Sequence, residues 1–413
     1  MNNYSTTLTV VLIAFLGFSC TQDNSVNVPL FSNGGTLTNT LPIESKQLQL
    51  FNGVYDVIEG SDQLGKVVVI KQSGKKLSIF SGKNVALFVL QSGRIDSNLI
   101  FEGYWRYAQS QDNGLARFVI SAEQGGSSLL RGIPPSASFN FRGAIGDKTS
   151  EPGTPIVLQF NRPLKDTAFT ILAHRGGGRN SDQLPESENS LGIIQLAEEF
   201  GANGIEIDVR LTKDGSPILY HDDNFSPRLM NSEYLIGPVS NYTFAAIRTL
   251  GTLKNGEQIP TLKEALNVVL NSTTLSTIWL DIKSPSTIAP AVKLQQEYKL
   301  KAAALGRTLH IYIGLPSEEL ADQYKKENLL DTADALCELS LSDVRAVKAK
   351  VWAPRWTLGP LPNEAEQMRS EGRKTFVWTL DQKEFILPFL TDGKIDGILT
   401  NYPSLVAFEY YAF

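Results

Sequence analysis

The chain has 413 residues, of which 42% are hydrophobic, and its formal net charge is −5. This length allows two or more domains, although a barrel of about 250 residues forms a single domain. Nucleic acid is excluded as a partner, because nucleic-acid binders carry a basic face and this acidic chain has no long like-charge run.

The first 20 residues have the pattern of an export signal. LTVVLIAFLGFSC is apolar, ends at Cys20 and is shorter than the roughly 20 residues of a membrane-spanning helix. LGFSC resembles a bacterial lipobox, in which the cysteine is lipidated after cleavage. A plain secretory signal is the alternative, because no Lys or Arg precedes the apolar run and Phe18 is bulky for its position.

We therefore expect an exported protein that is anchored to a membrane of the bacterial cell envelope, in the periplasm or at the outer membrane, by a lipid on Cys20. The polar residues 21–44 are predicted to form a flexible tether. Cys337 is the other cysteine, and it has no disulfide partner within the chain if Cys20 is lipidated. Its apolar context, DALCELS, predicts a small buried core residue and not a nucleophile.

Residues 45–165 contain short runs rich in Val, Ile and aromatic residues, separated by segments rich in Gly, Ser, Asn and Asp. The runs are KVVVIKQ, KLSIFS, VALFVLQ, NLIFEGYWRY, ARFVISAE, SASFNFRG and PIVLQF. This pattern predicts an antiparallel all-β domain, either a sandwich or a small barrel. It contains no histidine, and we interpret it as a structural or docking domain, with a ligand-binding cavity as the alternative.

Residues 166–413 have a different pattern, in which short apolar strands alternate with helical stretches. The candidate strands are FTILAH, GIEIDV, PILYH, TIWLDIK, LHIYIG, ALCEL, KVWAP, TFVWTL and DGILT. The candidate helices are NSLGIIQLAEEFG, TLKEALNVVLN, SEELADQYKKEN, LSDVRAVKAK and NEAEQMRSEG. This alternation predicts an α/β TIM-type (β/α)8 barrel. Nine candidates compete for eight places, so one is an accessory strand or a loop.

Charged and polar side chains lie at the ends of several of these strands. The C-terminal ends of the strands of such a barrel meet at one rim, where reactive groups cluster. Glu206 and Asp208 are two residues apart, so they point to the same side of their strand. The full set at the predicted strand ends is His174, Arg175, Glu206, Asp208, His221, Asp222, Asp281, Lys283 and Trp378.

These residue types suit a phosphate site with a hard metal. The carboxylates Glu206, Asp208 and Asp281 offer oxygen ligands for one divalent cation, Ca²⁺ or Mg²⁺. Arg175 and Lys283 are suited to binding phosphate. Two histidines on separate strands are suited to general acid and base catalysis. The chain lacks a P-loop, a His-Glu-x-x-His motif and a Gly-x-Ser-x-Gly elbow, and His310 lies within an apolar run and is interpreted as structural.

The motifs AHRGGG, ESENS, GANGIEIDVRLTKDGSPILYHDDNF, GEQIPTLKEAL, WLDIK, FVWTLD and IDGILTNYP follow one another in this order. Over residues 169–405 the chain resembles the glycerophosphodiester phosphodiesterase family. The resemblance implies a TIM barrel that hydrolyses glycerophosphodiesters, as small-molecule substrates, to sn-glycerol 3-phosphate and an alcohol with a divalent metal.

The resemblance also implies roles for individual residues. His174 and His221 match the catalytic histidines, Arg175 and Lys283 match a phosphate-binding arginine and a lysine of the site, and Trp378 matches a tryptophan that lines it. The implied metal ligands are Glu206, Asp208 and Asp281, of which Asp281 replaces the usual glutamate.

Two departures from the family pattern concern the edge of the pocket. The family's Pro-Glu-Asn-Thr appears as Ser187-Glu188-Asn189-Ser190 after a longer loop, GRNSDQLPE, and Asn401 stands where an aspartate is common. Glu188 keeps the acid of the motif, and we predict that it supports the site from behind the residues that bind substrate.

Two other functions remain open. One is a phospholipase of the same barrel superfamily that acts on phospholipids or lysophospholipids. An exposed apolar loop at the mouth of the barrel would favour this function, and FSPRLMNSEYLIGPVSNY is a candidate for such a loop. The other is a non-catalytic surface binding protein, although no predicted histidine or carboxylate of the site is missing.

Overall fold

The computed structural model describes residues 26–165 and 168–413, which form two closed barrels. The predicted signal peptide and Cys20 lie outside the described residues. The N-terminal barrel has eight antiparallel strands in sequence order: β1 Gly53–Glu59, β2 Val67–Ser73, β3 Lys76–Phe80, β4 Ala86–Ile95, β5 Asn98–Tyr107, β6 Asn113–Ile120, β7 Asn140–Ile145 and β8 Thr154–Pro163. Pairing of β1 with β8 closes it. The predicted all-β domain is therefore a barrel and not a sandwich.

The interior of this small barrel is filled by apolar side chains from the inward-facing positions of its strands. Phe118 and Phe141 stack with their ring centroids 4.6 Å apart, and Phe101 meets Phe141 edge to face at 5.1 Å. Three short helices accompany the strands: α1 Ser45–Leu48, α2 Ser61–Leu64 and α3 Ser127–Leu130. The aromatic rings therefore pack against one another in the interior of the barrel.

The predicted flexible tether is wrong for its described part, residues 26–44. Leu41 pairs with Arg94 of β4 through two backbone hydrogen bonds of 2.8 and 2.9 Å. Thr36 donates from its backbone N–H and its hydroxyl to the two carboxylate oxygens of Glu102. Ile43 is buried. The polar composition of the segment suggested a free chain, but its hydrogen-bonding groups bind the outside of the small barrel.

The C-terminal barrel is built from parallel strands, which confirms the predicted TIM-type fold. Its strands are β9 Thr170–Ala173, β10 Gly204–Leu211, β16 Thr277–Ile282, β17 His310–Leu315, β18 Ala335–Cys337, β19 Val351–Trp352, β20 Lys374–Val377 and β21 Gly397–Thr400, and β9 pairs with both β10 and β21 to close the ring. Further strands lie outside the ring: β11 Pro217–Leu219, β12 Asn224–Phe225, β13 Met230–Asn231, β14 Gly237–Pro238 and β15 Thr252–Leu253.

The ninth candidate strand, PILYH, is thus the accessory one. Its residues form β11, which pairs antiparallel with β10, with Val209 opposite Leu219 and Leu211 opposite Pro217. The prediction that His221 follows a strand of the barrel is therefore wrong. Because β10 extends beyond the rim and the chain then turns back, His221 returns to the level of the strand ends by another route.

Nine helices of the described chain belong to the second barrel. They are α4 Leu191–Leu196, α5 Phe244–Leu250, α6 Leu262–Ser272, α7 Ile288–Ala304, α8 Glu318–Lys326, α9 Leu341–Ala346, α10 Pro362–Ser370, α11 Lys383–Thr391 and α12 Pro403–Ala412. None of the helices in residues 26–165 and 168–413 combines the length and apolarity that crossing a membrane requires.

One hydrophobic cluster joins the outer face of the small barrel to the second barrel. Val69, Phe80 and Leu87, on the outer face of the small barrel, belong to the same buried cluster as Phe200 and Phe408 of the second barrel. Arg162 of β8 donates hydrogen bonds to the C-terminal carbonyls of α12, those of Tyr411 and Ala412, at 3.1 and 2.9 Å. The small barrel is therefore packed onto the second barrel and is not a separate module.

Candidate active site

The predicted site residues converge at the rim formed by the C-terminal ends of the parallel strands. A cavity of about 470 Å³ opens there. It is lined by most of the predicted residues, namely His174, Arg175, Glu206, His221, Asp281, Lys283 and Trp378. Asp208 lies directly behind this lining, with its carboxylate 2.7 Å from the ammonium nitrogen of Lys283.

The glycine-rich turn after β9 delivers His174 and Arg175 to the rim. Arg175 has a φ of 51° and Gly176 a φ of 86°, so the chain turns sharply through the left-handed region. In this conformation the backbone N–H of Arg175 donates to Glu206 Oε2 at 2.9 Å. Gly177 is required for space, because a Cβ there would come within 2.5 Å of Ile193. The turn thus fixes the start of the site against β10.

Three carboxylates from two neighbouring strands form one cluster. Glu206, Asp208 and Asp281 each place an oxygen within 4.8 Å of the others. Asp208 and Asp281 stand opposite each other in the parallel pairing of β10 and β16. The expectation that Glu206 and Asp208 point to the same side is confirmed.

Three oxygens of this cluster accept no well-aligned hydrogen bond in the described chain. Glu206 Oε1 and Asp281 Oδ1 are buried and accept no hydrogen bond. Asp208 Oδ1 accepts no well-aligned hydrogen bond, although the Lys283 ammonium lies close to it. Unpaired buried carboxylate oxygens are costly, and a hard divalent cation is the group that such oxygens bind. The donor set therefore fits Ca²⁺ or Mg²⁺.

The pKa values of the cluster reflect this crowding. Burial raises the pKa of Glu206 well above its ordinary value, and the charges of Asp208 and Asp281 raise it further. Burial alone would raise the pKa of Asp208, but Lys283, followed by His221 and Arg175, outweighs it and lowers that pKa. Lys283 also ion-pairs with Asp281. The ammonium of Lys283 thus pairs with two carboxylates, so the cluster retains excess negative charge.

Arg175 is held in place from behind by Glu188. Its Nη1 donates to Glu188 Oε1 at 2.6 Å, and its Nε lies 3.7 Å from Asp208 Oδ2 without a hydrogen bond. Glu188 itself accepts a hydrogen bond from the backbone N–H of Asn180 at 2.8 Å and donates its own N–H to Asn180 Oδ1. The arginine is therefore oriented, and its Nε is left unpaired beside the carboxylates.

The two histidines have different partners. His174 Nδ1 lies 2.6 Å from Asn401 Oδ1. The amide nitrogen of Asn401 donates to Asp381 at 2.6 Å, so the amide oxygen must face the histidine, and His174 Nδ1 is the donor. The other ring nitrogen, Nε2, then carries the lone pair and lies 3.8 Å from Glu206 Oε2. Burial, followed by the charge of Arg175, lowers the pKa of His174 to about 4, so the ring is neutral at pH 7.

His221 is paired with a carboxylate instead of an amide. Its Nδ1 lies 2.7 Å from Asp222 Oδ1. Hydrogen bonds to Asp222 from His221, Arg228 and Ser226 outweigh the effect of burial and lower the pKa of Asp222 to about 2. This carboxylate stays ionised at neutral pH, and its hydrogen bond with His221 Nδ1 orients the imidazole ring.

Several residues of the site were not predicted. The side chain of Asn189 binds Asp208 of β10 through two hydrogen bonds. It donates to Asp208 Oδ2 at 2.7 Å and accepts from the backbone N–H of Asp208. Glu338 and Arg355 also line the cavity, and the guanidinium of Arg355 lies 5.0 Å from the centroid of the Trp378 ring. Burial, followed by the charge of Asp281, raises the pKa of Glu338 to about 8. Because Glu338 directly follows β18, the rule that placed the other residues at strand ends would have found it.

His310 lies at the opposite end of the barrel from the site. It is the first residue of β17, where it pairs with Thr277 at the start of β16, and its ring stacks on Tyr312 with centroids 6.2 Å apart. This position agrees with the structural role predicted for it.

Cys337 is a buried core residue, as predicted. Burial raises the pKa of its thiol to about 11. In a Cys20→Ser variant, we expect a thiol reagent at pH 8 to label native Cys337 roughly 100-fold more slowly than the unfolded chain, because only the thiolate reacts. The labelling rate of the native protein should rise with pH up to this pKa. Equal rates for the native and the urea-unfolded protein would contradict a buried thiol.

Comparison with known proteins agrees with this geometry. The sequence model of the glycerophosphoryl diester phosphodiesterase family matches residues 174–405. The chain is 29% identical over 245 residues to the glycerophosphodiester phosphodiesterase of Caldanaerobacter subterraneus, which covers 56% of this chain and 94% of that protein. It is 26% identical over 273 residues to the glycerophosphodiester phosphodiesterase of Bacillus subtilis, covering 59% of this chain and 86% of that protein.

A solved structure is also similar. It is that of an Oleispira antarctica phosphodiesterase in complex with the product sn-glycerol-3-phosphate. The sequence identity is 20%, the TM-score is 0.46, and the match covers 57% of this chain and 94% of that one.

Proposed function

Because the chain belongs to the glycerophosphoryl diester phosphodiesterase family, we propose that its second barrel hydrolyses glycerophosphodiesters to sn-glycerol 3-phosphate and an alcohol. The observation that carries the proposal is the meeting of the carboxylate cluster, two cations and two histidines in one cavity. Apolar packing does not account for such a set, whereas phosphodiester hydrolysis needs each of its members.

The carboxylates Glu206, Asp208 and Asp281 would hold one divalent cation, Ca²⁺ or Mg²⁺. When bound, this cation polarises a phosphoryl oxygen and neutralises the charge that develops there. Arg175 and Lys283 bind the phosphate oxygens, and the pairing with Glu188 keeps the guanidinium of Arg175 oriented. Trp378 lines the same cavity, on the side of Glu338 and Arg355.

The different partners of the histidines suggest their roles. His174 is neutral with a free lone pair on Nε2, so it acts as the general base. It takes a proton from a water molecule or from the substrate's own 2-hydroxyl as that oxygen attacks phosphorus. His221, whose Nδ1 is hydrogen-bonded to the Asp222 carboxylate, acts as the general acid and gives its proton to the alcohol oxygen as the phosphorus–oxygen bond breaks.

The test incubates the purified protein with glycerophosphocholine and glycerophosphoethanolamine and measures glycerol 3-phosphate in Mg²⁺, in Ca²⁺ and in EDTA. We expect product in at least one of the two metals and none in EDTA. Trapping of a cyclic glycerol phosphate would show attack by the substrate's hydroxyl, whereas turnover of a diester analogue that lacks the 2-hydroxyl would show attack by water. No turnover of either diester in any metal would reject the proposal.

A phospholipase is the second candidate, and one observation favours it. In the loop of residues 225–242, which follows His221, the side chains of Tyr234 and Ile236 are exposed by 69% and 75%. Other apolar residues of this loop, such as Phe225, Leu229 and Leu235, are packed in a small core of their own. Lysophosphatidylcholine included in the same assay separates the candidates, since faster release of choline or of a lysophosphatidate product from it would favour the phospholipase.

We also propose, from LGFSC alone, that the protein is exported and anchored by a lipid on Cys20. An anchor would hold the barrel near membranes, where glycerophosphodiesters arise from lipids. Fractionation of expressing cells tests this proposal. The protein should enter the membrane fraction, and the Cys20→Ser variant should leave it.

A further inference from the structure

Arg106, on β5 of the small barrel, is buried without a carboxylate partner. The residue is 2% exposed, and the titratable groups that act on it in the described chain are Tyr104 and Tyr402. Its Nη2 donates to the backbone carbonyl of Gln183 at 2.6 Å and to that of Ala108 at 3.4 Å. Burying a guanidinium without a counter-charge is costly. The stability of the small barrel therefore does not explain this residue.

The carbonyl that Arg106 binds lies at the tip of the loop of residues 179–188, which belongs to the second barrel. Gln183 has a φ of 56°, a left-handed conformation that non-glycine residues seldom adopt. Its neighbours are also tied down, since the carbonyl of Leu184 accepts from the N–H of Val26 at 3.3 Å and Asp182 accepts from the Tyr402 hydroxyl at 3.1 Å. The tip is thus held by the small barrel and by its N-terminal segment.

Residues at the base of the same loop hold side chains of the active site in place. The paired hydrogen bonds between Asn180 and Glu188 close the base of the loop. Glu188 orients Arg175, and the next residue, Asn189, binds Asp208. Arg106 therefore holds the tip of a loop whose base supports the proposed phosphate-binding and metal-binding groups. This loop is also where the sequence departs from the family pattern.

We propose that Arg106 is a positioning residue for the active site, and that the small barrel holds the loop of residues 179–188 in the conformation in which Glu188 orients Arg175. The kinetic part of this inference rests on the proposed function, but the structural part does not. The domain without catalytic groups thereby acquires a function in the reaction.

The test uses the full chain with Arg106→Met, and with Phe118→Leu as a matched control. Arg106→Met removes a buried cation, so we expect the protein to fold with little loss of thermal stability. The Gln183 carbonyl loses its donor, and a buried unpaired carbonyl favours opening of the loop to water. Phe118→Leu weakens the aromatic core of the small barrel without touching the loop. Hydrogen exchange measured without substrate should rise in residues 179–189 of Arg106→Met and stay unchanged there in Phe118→Leu.

Kinetics with glycerophosphocholine supply the second readout. For Arg106→Met we expect KM to rise about tenfold, with kcat within about threefold, because a loosened Arg175 loses binding that ground state and transition state share. Arg106→Lys, which keeps one donor, should lie between the wild type and Arg106→Met. In Phe118→Leu, KM should stay within about twofold of the wild-type value.

The two readouts separate the inference from the proposed function. Faster exchange of the loop in Arg106→Met together with a raised KM supports both. If exchange of the loop is faster in Arg106→Met but the wild type turns over no diester, the positioning role of Arg106 is supported and the proposed function is rejected. Unchanged exchange of residues 179–189 in Arg106→Met overturns the inference, as does an equal rise of KM in Phe118→Leu.

Discussion

His221→Ala is expected to lower kcat for glycerophosphocholine by roughly 10³-fold while lowering it by only about tenfold for a p-nitrophenyl ester of glycerol 3-phosphate. Choline needs a proton as it leaves, because its alkoxide is strongly basic. Nitrophenolate is stable as an anion and leaves without one. If His221 is the general acid, its loss is costly only for the substrate that needs the proton.

His174→Ala is expected to behave differently. Both substrates need the attacking oxygen to lose its proton, so the loss should be roughly 10²- to 10⁴-fold and similar for the two. The distinction follows from the partners of the two rings. The Asn401 amide leaves a lone pair on His174 Nε2, whereas His221 Nδ1 is hydrogen-bonded to the Asp222 carboxylate.

His310→Ala is the control for both variants. It removes the same side chain at the other end of the barrel, where it stacks on Tyr312, and kcat should stay within about twofold of the wild type. If His174→Ala, and not His221→Ala, loses activity mainly on glycerophosphocholine, the assignment of general acid and general base would be reversed. Equal losses for both variants on both substrates would reject a division of acid and base between them.

The sequence predicted the parts of the site that depend on short-range geometry. Glu206 and Asp208 share a face because successive residues of a strand alternate, and the strand ends meet because parallel strands close into a ring. The same reasoning misplaced β11. The sequence of an apolar run of three to five residues does not distinguish a strand of the barrel from the second strand of a hairpin. His221 reaches the site from that hairpin.

Two long helices were missed for physical reasons. In α7 the buried stripe includes Ala291, Gln295 and Ala302, and Gln295 is buried because its amide donates to the carbonyls of Ile311 and Asp334. A buried face in which two of the six residues are alanine and one is glutamine has less contrast than that of a typical amphipathic helix. In α12 nearly every residue is buried between the two barrels, so it has no polar face and no helical period to detect.

The contact of Arg106 with the 179–188 loop could not be predicted. It joins residues 77 positions apart on different domains, and sequence patterns report local periodicity, not the docking of one barrel on another. The Asp381–Asn401–His174 set is a partial exception, because Asn401 stood out as a departure from the family pattern. Its consequence for the histidine became clear only from the hydrogen bonds of the amide.

Glu206→Gln is expected to abolish metal-activated turnover, lowering kcat/KM for glycerophosphocholine by roughly 10³-fold, while leaving the stability of the metal-free protein nearly unchanged. Burial and the neighbouring Asp208 and Asp281 raise the pKa of Glu206. Without metal this carboxyl is therefore prone to be protonated, and a neutral amide imitates that state. The Gln oxygen can still accept the hydrogen bond that the backbone of Arg175 donates to Glu206.

Thermal unfolding separates the loss of a metal ligand from damage to the fold. In EDTA, wild type and Glu206→Gln should unfold with free energies within about 1 kcal/mol of each other. Added Ca²⁺ or Mg²⁺ should stabilise only the wild type, by about 2.7 kcal/mol at a concentration 100 times the dissociation constant. Glu297→Gln, a carboxylate on the exposed side of α7, should respond to metal as the wild type does.

Asp208→Asn, in the same carboxylate cluster, is expected to differ from Glu206→Gln in its effect on stability. Asp208 lies beside both Lys283 and Arg175, and these cations lower its pKa. Neutralising it leaves buried cations with less compensation, so this variant should lose stability in EDTA as well as activity. Because the pKa of Glu206 is raised and that of Asp208 is lowered, we expect only the Asp208 substitution to destabilise the metal-free protein. Equal stability losses in EDTA for both variants, or a metal-induced stabilisation that survives in Glu206→Gln, would contradict the proposed cluster.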